Sequence, residues 1–169
     1  LLRSSSTTRQ TAEALERVLR CLADPTLTRK LADAFRAWQR HDEADADAAR
    51  RIAAAARRIH SCTQVEAYLW PRAHHDWLAA LTPELPPDQL DLLTGFREVA
   101  CRWHRAAALL PIDQLVLTLA ADLFQKPEEL ALAYKLAILL RQEAASHPGY
   151  RLPELVEELA VIARNERRF

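Results

Sequence analysis

Methionine is absent from this chain of 169 residues, and glycine occurs only at Gly95 and Gly149. Tight two-residue hairpins and phosphate-cradling loops both need glycine, so its scarcity argues against a hairpin-built sheet protein and excludes a glycine-rich nucleotide loop. The three cysteines, an odd number at unrelated spacings, fit reduced thiols in the cytosol better than a disulfide framework. No apolar run reaches the roughly 18 residues that span a bilayer, and no charged start leads into an apolar stretch as in a signal peptide. The expectation is a soluble, cytoplasmic protein. Neither sign of charge is in excess, because Lys plus Arg and Asp plus Glu both number 23. No global field therefore draws the chain to nucleic acid, and any DNA affinity must come from a local patch. The missing methionine, with Leu at position 1, is read as the mark of a segment cut from something longer.

What is present is helical. Apolar residues make up 50% of the chain and charged residues 27%, ordinary usage for one globular domain with a sizeable core. The periodicity predicts a single all-α domain of about seven or eight helices around a buried helical hairpin. Leu15, Val18, Leu19 and Leu22 form the stripe of a first helix near 8–22, with Glu13–Arg17 and Glu16–Arg20 spaced as i, i+4 pairs. Asp24 reads as the cap of a second helix with Pro25 at its first position. A third, within "HDEADADAARRIAAAARRIHSC", starts with Asp42, Glu43, Asp45 and Asp47 at the positive end of its dipole. A short helix near 65–70 ends at Pro71, and "HHDWLAAL" supplies another turn or two. The break "TPELPPD" at 82–88 is the candidate boundary between two halves. Beyond it, Leu93, Phe96, Ala100, Trp103, Ala107 and Leu110 give a long helix with a narrow seam. "LPIDQLVLTLAADLF" and "PEELALAYKLAILL", apolar nearly all round, are the predicted core hairpin, buried on several sides. A last helix from Pro153 buries Leu155, Val156, Leu159 and Ile162.

Four candidate sites follow from residue chemistry. On the third helix Ile52, Ala56 and Ile59 fall on one side and Arg50, Arg51, Arg57 and Arg58 on the other, so four guanidiniums share a surface that can grip successive phosphates. A plain solvated face is the competing reading. His60, Cys62, Cys101 and His104 offer two nitrogens and two sulfurs, the donor set of tetrahedral zinc, provided their two helices meet; otherwise Cys62 and Cys101 are half-buried thiols. His74, His75 and Asp76 beside Trp70 and Trp77 resemble a catalytic cluster, but adjacent residues point to different sides of a helix and no Ser or Cys nucleophile lies nearby. The acidic run at 42–47 lacks the glycine turn and the closing Glu of a calcium loop. No motif for nucleotide hydrolysis, acyl transfer or zinc hydrolysis is present.

"LLRSSSTTR" at one end and "RLPELVEELAVIARNERRF" at the other resemble the borders of the 2B subdomain in bacterial UvrD/Rep/PcrA-type superfamily 1 DNA helicases. "LPIDQLVLTLAADLF" and "YLWPRAHHDWL" are similar to stretches in one branch of that family. The resemblance implies an all-helical, non-catalytic insertion in the second RecA-like motor domain, with 1–6 and 165–169 as connections, Leu1 and Leu2 ending a motor strand and Arg167 to Phe169 leading back. It implies a parent that couples ATP hydrolysis, with Mg²⁺, to 3′ to 5′ strand separation, the catalytic residues lying outside this stretch. The implied partners are the motor domains of the same chain, duplex DNA near a junction and other repair proteins. The chain departs from better-known members in that no glycine-containing helix-hairpin-helix-like element can be located. Duplex contact through Arg50, Arg51, Arg57 and Arg58 thus comes from the residues and not from the resemblance. The alternative is a free-standing helical module for protein–protein interaction.

Overall fold

Leu15, Val18, Leu19 and Leu22 repeat at the helical period, and in the computed structural model, which describes residues 6–40 and 45–165, they are the buried stripe of α1 (Ser6–Ala23). The stripe is wider than the leucines alone suggest. Ala12, Ala14 and Cys21 are also buried, and small side chains let neighbouring helices approach from several directions. Thr11 is fully buried among them, and its hydroxyl donates to the Thr7 carbonyl at 2.7 Å, which removes the cost of burying it.

α2 (Thr28–Trp38) begins at Thr28, not at Pro25, and Asp24 does not cap it. The carboxylate instead accepts from Lys30 Nζ at 3.1 Å and from Thr26 Oγ1 at 3.2 Å, which holds the turn ahead of the helix. α3 (Ala46–Ser61) starts as its chemistry demands: Asp45 accepts from the backbone N–H groups of Asp47 and Ala48 at 2.9 and 3.4 Å, and Asp47 lies in the first turn. Asp42 and Glu43 lie outside the described residues. Two five-residue helices follow, α4 (Val65–Leu69) and α5 (Trp77–Leu81), then a 3₁₀ turn at Thr82–Glu84. Four longer helices complete the fold: α6 (Pro87–Leu109), α7 (Ile112–Leu123), α8 (Pro127–Ser146) and α9 (Leu152–Arg164). The described residues thus form nine α-helices and no strand, more helices than the periodicity predicts, with Arg72 and His75 paired in an isolated bridge.

The break at 82–88 does not divide the core. Phe35 of α2 meets Phe96 of α6 edge to face, with ring centroids 5.3 Å apart, and Phe96 also touches Trp38 and Trp103. The Tyr68 hydroxyl of α4 donates to the Leu93 carbonyl at 2.6 Å. One continuous apolar cluster therefore runs through helices on both sides of the prolines.

α7 and α8 form the expected antiparallel hairpin, with Arg141 reaching Asp113 at 3.9 Å. Its burial is less complete than its composition predicts. Ile112, Leu115, Val116, Leu119, Ala120 and Leu123 of α7 are buried, whereas α8 buries one stripe (Ala133, Leu136, Ala137, Leu140) and leaves Leu130 and Tyr134 40% and 56% exposed. α1 takes the central place instead, packing against α2, α7, α8 and α9. The seam of α6 ends early too: Leu93, Phe96, Ala100 and Trp103 are buried, Ala107 is half-buried and Leu110 is exposed.

α1 and α9 lie antiparallel. Arg20 near the end of α1 bridges Glu16 at 2.8 Å and Glu157 at 2.9 Å, while Arg9 and Glu13 near its start share a hollow with Ala163 and Arg164 at the end of α9. Of the two spaced pairs on α1, Glu16–Arg20 forms and Glu13–Arg17 does not. The start of α1 and the finish of α9 therefore stand at the same pole of the fold.

Candidate nucleic-acid interface

Ile52, Ala55, Ala56 and Ile59 seat α3 against α2 and α6, and this fixes which residues of α3 face outward. Arg50, Arg51 and Arg57 are exposed and Arg58 is half-buried, so the expected basic face exists. The four arginines are not equivalent. Arg50 pairs with Asp47 one turn before it. Arg51 stands 3.9 Å from Asp88 of α6 and lines a surface hollow with Asp88 and Asp91. Among the described residues neither Arg57 nor Arg58 makes an ion pair. A further cation lies at the same end: the Thr28 hydroxyl donates to the His60 carbonyl at 3.3 Å, which sets the start of α2, with exposed Arg29, beside the finish of α3. Periodicity along one helix could not have found Arg29, because the start of α2 meets the finish of α3 only through a contact between helices.

His60, Cys62, Cys101 and His104 do not gather, and no group of three or more metal-ligating side chains exists among the described residues. Each thiol donates to a carbonyl of the loop that leads toward α4 or of α4 itself: Cys62 Sγ to Gln64 O and Cys101 Sγ to Leu69 O, both at 3.1 Å. Burial raises the pKa of both thiols and pushes Cys21 up to about 12. They are poor thiolates and act as small core residues. His60 is exposed, and the His104 ring stands edge-on to Trp70 with centroids 5.0 Å apart.

The cluster at 74–76 is likewise structural. Asp76 caps α5, accepting from the N–H groups of Leu78 and Ala79, both at 3.1 Å, and it receives the Arg97 guanidinium at 2.8 Å. Arg97 in turn lies over the Tyr68 ring, 5.6 Å from its centroid. His75 Nε2 meets Gln64 Oε1 at 3.0 Å, and His74 is exposed. Trp77 packs on Tyr68 at 5.0 Å. The row of polar residues is a joint fastening the loop after α4 onto α6.

These groups give stability a pH dependence with a definite sign. Burial lowers the His104 pKa, so the unfolded chain takes up this proton more readily than the folded one, and stability falls as pH drops below the ordinary imidazole value of about 6.5. For Asp76, burial acts upward, but the hydrogen bonds from Ala79 and Arg97 and the Arg97 charge hold the carboxyl below its usual range. Its contribution is present above the unfolded carboxylate value of about 3.9 and is lost as pH falls through the folded value. Denaturant midpoints measured from about pH 7.5 to about pH 5 should therefore decline in the parent protein and flatten in His104→Gln. An unaltered decline in that variant would assign the effect elsewhere.

No protein-family model, no curated protein and no solved structure matches the chain.

Proposed function

We propose that this chain is a non-catalytic helical accessory module of a DNA-translocating motor, of the kind the resemblance to helicase 2B subdomains implies, which holds duplex DNA or restrains the motor by rotating on its connections. The observation that carries this reading is the antiparallel pairing of α1 with α9. A module inserted into another domain needs its entry and exit side by side, and the Arg20–Glu157 ion pair joins the two helices that lead there. The positions assigned to connecting strands, Leu1, Leu2 and Arg167 to Phe169, lie outside the described residues. The arginine face of α3 supplies the DNA contact. ATP and Mg²⁺ belong, in this reading, to the motor domains of the parent.

Titration of the chain with a fluorescent partial duplex should give binding that weakens steadily as salt rises, because phosphate neutralisation releases counterions. With Mg²⁺ and ATP present, phosphate release should stay at the level of buffer. Absence of duplex binding at low salt would overturn the DNA role, and ATP turnover by the chain alone would overturn the non-catalytic role.

A docking module for another protein is the second reading. Exposed Leu130 and Tyr134, one turn apart on α8, favour it, since grouped apolar side chains at a surface mark interaction sites. Tyr134→Glu separates the two readings: it leaves duplex binding intact if DNA is held by α3.

A further inference from the structure

We infer that the phosphate-gripping footprint of this chain is Arg57, Arg58 and Arg29, where α3 ends beside the start of α2, and that Arg50 and Arg51 take no net part in it. The inference rests on the duplex-holding reading above and divides its basic face in two.

The division follows from where the carboxylates stand. Arg50 is paired with Asp47, and Arg51 lies among Asp88 and Asp91. A guanidinium that meets a phosphate while its own carboxylate stays beside it neutralises little, for the carboxylate repels the same phosphate. Displacing that carboxylate would cost the interaction it already makes. Neither route releases a full counterion, so these two arginines add little to a salt-dependent affinity. Arg57 and Arg58 carry no such partner among the described residues. Their outward face is lined by Ala53, Ala54 and Ser61, side chains small enough to let a phosphodiester strand approach the helix closely. Arg58 is half-buried and Arg57 is exposed. Arg29 extends the cationic surface onto a second helix, and the Thr28–His60 hydrogen bond holds that helix in place.

Duplex binding by the 169-residue chain, followed by fluorescence anisotropy across a salt series, tests this directly. Each phosphate neutralised on B-form DNA contributes roughly 0.9 to the slope of log affinity against log salt. Arg57→Ala with Arg58→Ala should therefore lower the slope by about 1.8, and Arg29→Ala by about 0.9. Arg50→Ala with Arg51→Ala should leave it within about 0.3. Arg57→Lys with Arg58→Lys should keep most of the slope, and circular dichroism should be the same for every variant, which assigns the loss to charge and not to unfolding. Equal losses from the two arginine pairs, with the parent still binding, would overturn the division and leave the duplex reading standing. No duplex binding by the parent would overturn both.

Discussion

Glu129→Ala should remove about 3 to 5 kcal/mol of folding stability, among the largest effects expected of any single substitution outside the aromatic core. The Glu129 side chain is 3% exposed and pairs with Arg40, which is 16% exposed and lies over the Phe124 ring, 4.9 Å from its centroid. Removing the carboxylate takes from the Arg40 guanidinium its ion pair with the most buried carboxylate it meets, and the penalty includes desolvation as well as the lost attraction. A second loss adds to the first. Glu129 Oε1 accepts the Lys126 backbone N–H at 3.3 Å and so helps close the first turn of α8. Replacing both partners at once, Arg40→Met with Glu129→Leu, should recover part of the deficit, because two apolar side chains of similar volume bring no charge into the place of this pair. Urea midpoints, compared at unchanged dependence on denaturant, check both results. A cost below about 1 kcal/mol for Glu129→Ala would mean that water reaches the pair freely.

Phe96→Ala should cost a similar amount, about 3 to 5 kcal/mol, for a different reason. The side chain is fully buried and meets Phe35, Trp38 and Trp103 at centroid distances of 5.3, 5.7 and 6.1 Å. Truncation leaves a cavity that the fixed backbones of α2 and α6 cannot fill, and it removes ring contacts worth about 0.5 to 1.5 kcal/mol each beyond area burial. The same residue tests the integrity of the core. Because Phe35 precedes the 82–88 break and Phe96 follows it, tryptophan fluorescence and far-ultraviolet circular dichroism should report one coincident unfolding transition in parent and variant. Two separated transitions would instead restore that break as a domain boundary.

Much of the fold was legible residue by residue. The stripes of α1, α3 and α9 follow from apolar spacing, and Asp45 could be read as a cap because its carboxylate acts on N–H groups two and three residues away. Errors arose where a residue had more than one partner within reach. Asp24 has the chemistry of a cap but finds Lys30 and Thr26 closer to hand, so α2 starts later. The row His74, His75 and Asp76 suggested catalysis because carboxylate and imidazole look alike whether they act on a substrate or on the backbone. Arg97, 21 residues from Asp76 along the chain, decides for the backbone. Among the candidate sites, the side of α3 that faces out was readable from Ile52, Ala56 and Ile59, whereas the neutralisation of Arg51 was not, since Asp88 belongs to another helix.

By itself the sequence determined the class: few glycines, prolines between apolar-periodic stretches and nearly continuous helical spacing leave helices as the way to satisfy the backbone. Only the tertiary structure decided that α1 and not the α7–α8 hairpin lies at the centre, that Glu129 is buried against Arg40, and that two of the four arginines of α3 are already matched by carboxylates. The reason is physical. Helical periodicity is set by neighbours three and four residues away, whereas the partner of a charge and the depth of a helix depend on distances between segments far apart in the chain, which local spacing does not encode.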